Sequence, residues 1–143
     1  TGRSMKQRNA GFTLVELLVV LIILGLVASI AGPNVMKYLG TSKAKTAKLQ
    51  LKEIESSMEL FYLDTGSYPP NDPGLKVLIG NESSIAGWGG PYFKHAQLPL
   101  DPWGNDYVYA MPGEHGEFDL VSLGADNQPG GEDDAKDITS WSR

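Results

Sequence analysis

One stretch near the start limits what this chain can be: GFTLVELLVVLIILGLVASIAGP, residues Gly11 to Pro33. From Phe12 to Gly32 the only ionisable side chain is Glu16. A run of about 20 apolar residues is long enough to cross a bilayer as a helix. A carboxylate inside such a run costs roughly 2.5–3.5 kcal/mol on insertion scales. The segment therefore reads as a membrane helix carrying one acid that needs a reason.

The basic lead MKQRNAG, with Lys6 and Arg8, resembles the start of a secretory signal, and Thr1–Ser4 read as an expression remnant before a natural start at Met5. No A-x-A cleavage site follows, and the apolar run is too long for a typical signal core. The bland reading is a simple anchor. Positive-inside bias would place Lys6 and Arg8 in the cytoplasm, although Lys37, Lys43, Lys45 and Lys48 beyond the span weaken that inference. The remaining ~110 residues suffice for one small core. A net charge of −5 argues against nucleic acid as a partner. With no cysteine, disulfides, thiol catalysis and Cys-ligated zinc are excluded.

Beyond Pro33 the helical period continues. Ala44, Ala47, Leu51, Ile54, Met58 and Phe61 fall on one face. The like-charge neighbours Lys48–Lys52 and Glu55–Glu59 lie largely off it, so this stripe must hold the helix down. Gly66 and Pro69–Pro70 end the helix. A helix from Phe12 to about Leu63 would span roughly 75–80 Å, so its first half is expected to protrude from the globular part. Gly25 and Pro33 interrupt the pattern. Pro33 is expected to kink or break the helix, and the stretch around both residues to lose helix in an assembled filament.

The rest is rich in glycine and proline. DPGLKVLIG, residues 72–80, reads as a short helix with Asp72 as cap and Pro73 at its first position. NDYVYAM (105–111) and EFDLVSLG (117–124) alternate as half-buried strands do, joined by a PGEHG turn. No catalytic motif emerges. His95 and His115 match no metalloprotease or triad spacing, and His115 in the turn reads as solvated. In LPLDPWGNDY, Asp101, Pro102, Gly104 and Asn105 favour a turn anchored by Trp103; a carbohydrate- or partner-binding tryptophan is the other reading. Asp126, Glu132, Asp133, Asp134 and Asp137 crowd one Gly-rich loop. Such a loop is either simply solvated or a Ca²⁺ loop, and its spacing matches the EF-hand pattern poorly.

The Gly11–Phe12 junction after a basic leader, the acid Glu16 five residues past it, and Pro33 strongly resemble the class III signal of type IV pilins and pseudopilins. DTGSYPPNDPGL, LPLDPWGNDYVY, SLGADNQPGG and DITSW are similar to the major pseudopilins of type II secretion, so the resemblance covers nearly the whole chain. It implies an α+β, pilin-like fold: a long protruding N-terminal helix packed against a small C-terminal antiparallel sheet with a calcium-binding loop. The expected division is a leader 1–11, an apolar transmembrane and assembly half of the helix 12–33, its amphipathic half 34–65, and a periplasmic head 66–143.

The resemblance also implies a role. The chain would be the non-enzymatic repeating subunit of a helical homo-oligomer, the periplasmic pseudopilus that drives folded proteins out of the cell. Prepilin peptidase would cut between Gly11 and Phe12 and N-methylate Phe12. Thr13, Glu16, Gly25 and Pro33 would serve assembly. Implied partners are the minor pseudopilins, the inner-membrane secretion platform, the outer-membrane secretin and, before assembly, the membrane, which the chain crosses once with its head in the periplasm. The presence of residues 1–11 reads as an uncut precursor or as a chain made where the peptidase is absent. The loop would hold Ca²⁺ through Asp126, Asp134 and Asp137, with Asp133 as the rival to Asp134 and the Leu123 carbonyl assisting. The alternatives are an adhesion, motility or DNA-uptake pilin, and a membrane-anchored binding module or enzyme.

The resemblance supplies the reason for the acid. Glu16 lies within about 6 Å of axial rise from Phe12, near the membrane edge. After cleavage the Phe12 amine of a neighbouring subunit could partner the carboxylate, which in a lipid-free filament core would otherwise be buried unpaired.

Overall fold

The computed structural model describes residues 2, 11–94 and 97–142. The expectations for Met5, Lys6, Arg8 and His95 lie outside the described residues. One helix, α1, runs Leu14–Thr65. Three short strands follow: β1 Val108–Ala110, β2 Asp119–Ser122 and β3 Ile138–Thr139. They form an antiparallel sheet in the order β1-β2-β3, with Tyr109 opposite Leu120 and Ser122 opposite Ile138. The fold is α+β. Two compact units emerge, Thr1–Tyr38 and Leu39–Arg143. The amphipathic part of α1 thus belongs to the same unit as the sheet.

Helix α1 is unbroken across Pro33, which corrects the expected break. A proline deletes one backbone hydrogen bond, and the long helical runs on both sides carry the conformation across the gap. Around it, Ser29 Oγ donates to the Leu26 carbonyl at 2.7 Å and Asn34 Nδ2 to that of Ile30 at 3.4 Å. In the first unit Leu17 to Leu24 are all exposed. The helix is long and apolar enough there to cross a membrane.

In the second unit the stripe is buried as its period requires. Ala47, Leu51, Ile54, Met58 and Phe61 meet Val77, Leu78, Phe93, Tyr107, Leu120 and Ile138 in one core. Phe61 packs edge-on against Tyr92, centroids 5.8 Å apart. Several polar groups at the rim are paired. Ser57 Oγ donates to the Tyr92 carbonyl at 3.2 Å, and Tyr109 Oη to that of Pro69 at 2.7 Å. Asn71 holds both backbone groups of Met111, which tethers the proline-rich segment to the end of β1. Burial first, then the neighbouring Glu59, holds the Glu55 carboxyl above its ordinary range, with Lys52 opposing.

Two local expectations change. Residues 72–80 form a 3₁₀ helix over Gly74–Leu78 with Pro73 at its N-cap position and no side-chain cap, so Asp72 does not cap it. His115 is not simply solvated. Its ring stacks on Trp141 at 3.9 Å and Nδ1 lies 3.1 Å from Asp119 Oδ2.

Candidate functional site

Two places carry the sequence-derived candidates. The first is the start of α1. Gly11 and Phe12 are exposed and precede the helix, so the bond between them is not locked in helical hydrogen bonding. Thr13 stands at the N-cap position: its Oγ1 accepts the Glu16 backbone N–H at 3.1 Å, and its carbonyl accepts that of Leu17 at 3.1 Å. TLVE is thus the T-x-x-E pattern of a capping box, with the side-chain-to-N3 half in place. Glu16 falls in the first turn, where the helix dipole favours negative charge. The acid that is costly in a membrane is therefore a good residue for starting this helix. Gly25 lies further along the apolar face in open space, with nothing within 4 Å of where a Cβ would stand.

The second place is the loop between β2 and β3. The chain leaves β2 through Leu123 and turns at Gly124, whose φ is +74°. A Cβ there would stand 2.9 Å from the Asp134 and Lys136 carbonyl oxygens and the Ala135 carbonyl carbon, so only glycine fits without backbone movement. The loop returns at Asp134, whose carbonyl accepts the Ala125 N–H at 2.8 Å, and a 3₁₀ turn spans Asp133–Ala135. Asp126 Oδ1 accepts the Gln128 N–H at 3.1 Å, and Asp137 Oδ2 accepts that of Gly130 at 3.0 Å. Asp134 lies instead against Gly40 of α1. Asp133 lines a 390 Å³ cleft with Ala44, Lys48, Trp103 and Asp137. Among the described residues no three acidic or histidine side chains converge as a metal cluster. One observation does fit a cation: Asp137 Oδ1 is buried with no hydrogen-bond partner. A buried carboxylate oxygen is expected to be satisfied, and hard oxygen donors on a carbonyl-rich loop suit Ca²⁺.

A hub that the sequence reading left unassigned supports this loop. Asp101, only 4% exposed, accepts the N–H groups of Trp103 and Asn105 through Oδ1 and the Ser122 hydroxyl through Oδ2 at 2.8 Å. Ser122 Oγ in turn accepts the Gly124 N–H at 3.4 Å. The turn residues of DPWGN hinted at the loop geometry, but nothing in the sequence paired Asp101 with Ser122.

The comparisons with known proteins match this layout. The family model for protein G of the type II secretion system matches residues 34–141. The chain belongs to the type II secretion system protein G family. A model of the prokaryotic N-terminal methylation motif matches residues 6–32, covering the Gly11–Phe12 junction and Glu16. The type II secretion system core protein G of Pseudomonas aeruginosa is 40% identical over 140 residues, covering 95% of this chain and 97% of that one. That of Vibrio cholerae is 38% identical over 138 residues, covering 94% and 93%. The crystal structure of the major pseudopilin of the type 2 secretion system of enterohaemorrhagic Escherichia coli superposes with a TM-score of 0.61 at 30% identity. It covers 76% of this chain and 95% of that one. This member of the protein G family thus has a long N-terminal helix and a small antiparallel sheet, with the methylation motif running into the start of that helix.

Proposed function

We propose that this protein G family member is cut between Gly11 and Phe12, N-methylated on Phe12 and polymerised into the pseudopilus of a type II secretion system. The carrying observation is one continuous helix whose capped apolar start bears the methylation motif and whose far end is built into the family's head. The chain is a structural, membrane-anchored subunit. In our reading it crosses the inner membrane once, with residues 39–143 in the periplasm. Glu16 pairs with the methylated amine of a neighbouring subunit's Phe12, which sets the register between copies, as one polar pair in an apolar interface can do. Minor pseudopilins, the secretion platform and the secretin complete the machine.

The acidic loop takes one Ca²⁺ in this reading. Asp137 is the donor best supported, by its orphaned oxygen. Asp126, either Asp133 or Asp134, and the Leu123 carbonyl complete the set. The ion would supply positive charge that relieves carboxylate repulsion and crosslinks the loop to the sheet, as a disulfide does elsewhere.

The deciding experiment is the intact mass of the full chain co-expressed with its secretion partners. Loss of residues 1–11 plus one methyl group is expected. An uncut, unmethylated chain in the presence of active peptidase overturns the proposal.

A further inference from the structure

Helix interiors disfavour glycine relative to alanine, so a buried glycine there calls for a reason. Gly25 and Gly32 have open space where a Cβ would point. Gly40 does not. It is buried and sits one turn before Ala44, continuing the core stripe by one position. A Cβ on Gly40 would stand 1.8 Å from Oδ1, 2.6 Å from Cγ and 2.9 Å from Oδ2 of Asp134. Where the stripe would otherwise present a side chain, the helix offers bare backbone and the acidic loop fills the place with a carboxylate. The same Asp134 accepts the Ala125 N–H through its carbonyl, and that carbonyl also packs against Gly124. One residue therefore links α1 to the exit of β2.

We propose that Gly40 is the seat of the acidic loop and a positioning residue for it. Asp134 rests on α1 there, and this contact fixes the Leu123–Asp126 segment that carries two of the proposed Ca²⁺ donors. The seat stands on its own geometry. Only its consequence for calcium rests on the calcium reading above.

The test is a double-mutant cycle on the full chain in detergent: wild type, Gly40→Ala, Asp134→Ala and the double variant, melted with chelator and followed by near-ultraviolet circular dichroism. With Asp134 absent, Gly40→Ala is expected to raise the melting temperature by about 4–8 °C, the ordinary gain of alanine over glycine in a helix for a head of this size. With Asp134 present the gain is smaller, because the methyl group must push aside the carboxylate end of a side chain that is otherwise exposed. An equal rise in both backgrounds overturns the seat. So does a Gly40→Ala variant that fails to fold and is not rescued by Asp134→Ala, since the clash is then elsewhere. A second arm titrates CaCl₂ calorimetrically. Gly40→Ala is expected to weaken Ca²⁺ binding about three- to tenfold, the cost of ordering a side chain or two on binding. Unchanged affinity overturns the positioning role. A wild-type chain that takes up no Ca²⁺ overturns that role together with the calcium reading, and the melting cycle still decides the seat.

Discussion

Ser122→Ala isolates the buried hub beneath the acidic loop. Ser122 is fully buried, and its hydroxyl donates to Asp101 Oδ2 while accepting the Gly124 N–H. The substitution removes a single oxygen and so leaves little cavity. It strips one of the three hydrogen bonds that satisfy the Asp101 carboxylate, which is too buried to recruit water freely. A hydrogen bond to a charged group contributes about 1.5–3 kcal/mol, and the lost partner is not replaced. Taking about 2 kcal/mol, and about 4–8 °C per kcal/mol for a domain of this size, the melting temperature is expected to fall by roughly 8–16 °C. The assay is thermal melting of the full chain in detergent, followed by the near-ultraviolet signal of Trp103 and its fellow tryptophans. Asp101→Asn in the same assay is expected to lose less than Asp101→Ala. The amide keeps one acceptor for the Trp103 and Asn105 N–H groups and offers a donor to the serine oxygen, whereas alanine leaves three donors unpaired. A Ser122→Ala melting point within about 2 °C of wild type, or equal losses for the two Asp101 variants, would refute the hub.

Gly124→Ala meets three rigid backbone atoms in a left-handed conformation and is expected to cost at least about 1–3 kcal/mol, read as a lower denaturation midpoint in urea. Burial opposes the charge on Asp119, but the Glu114 N–H, the His115 ring and the His115 N–H outweigh it and hold the carboxyl below its ordinary 3.8. The resulting stability is present above that value and is lost as pH falls through the depressed one; Asp119→Asn is expected to flatten this acid limb of the melting curve. Millimolar Ca²⁺, about tenfold over a dissociation constant of roughly 10⁻⁴ M, is expected to stabilise the head by about 1.4 kcal/mol, and Asp126→Ala to make melting insensitive to the ion. A wild-type melting point unchanged by chelator speaks against the site. Glu16→Leu is expected to insert in membranes and to be cut, yet to lose filaments by electron microscopy, whereas wild-type filament yield refutes the pairing with Phe12.

Periodicity and local chemistry alone determined a good deal. The apolar run, the stripe from Ala44 to Phe61 and the two alternating segments are one-dimensional patterns, because helix and strand repeat side-chain direction at fixed intervals. Junction residues such as Gly11, Phe12 and Glu16 sit within six consecutive positions, so their grouping survives without a fold. The helix passing through Pro33 was decided by its context: local propensity names the weak point, and the length of helix on either side determines whether it breaks. β3 has only two residues, Ile138 and Thr139, too few to show a period, and exists because β2 offers a free edge. The stacking of His115 on Trp141 joins residues far apart in the chain, so a turn that read as solvated became a contact.

The acidic loop shows the division most plainly. Its composition raised the question of a cation, and nothing in the spacing of Asp126, Asp133, Asp134 and Asp137 says which way each side chain turns. Tertiary packing sent Asp134 to Gly40, left Asp137 Oδ1 without a donor and placed Asp101 and Ser122 beneath the turn. Those pairings link residues 21 positions apart at the hub and further still at the helix. Sequence neighbours constrain backbone angles, but partners of buried polar groups are selected by whichever distant groups the core brings within hydrogen-bond reach.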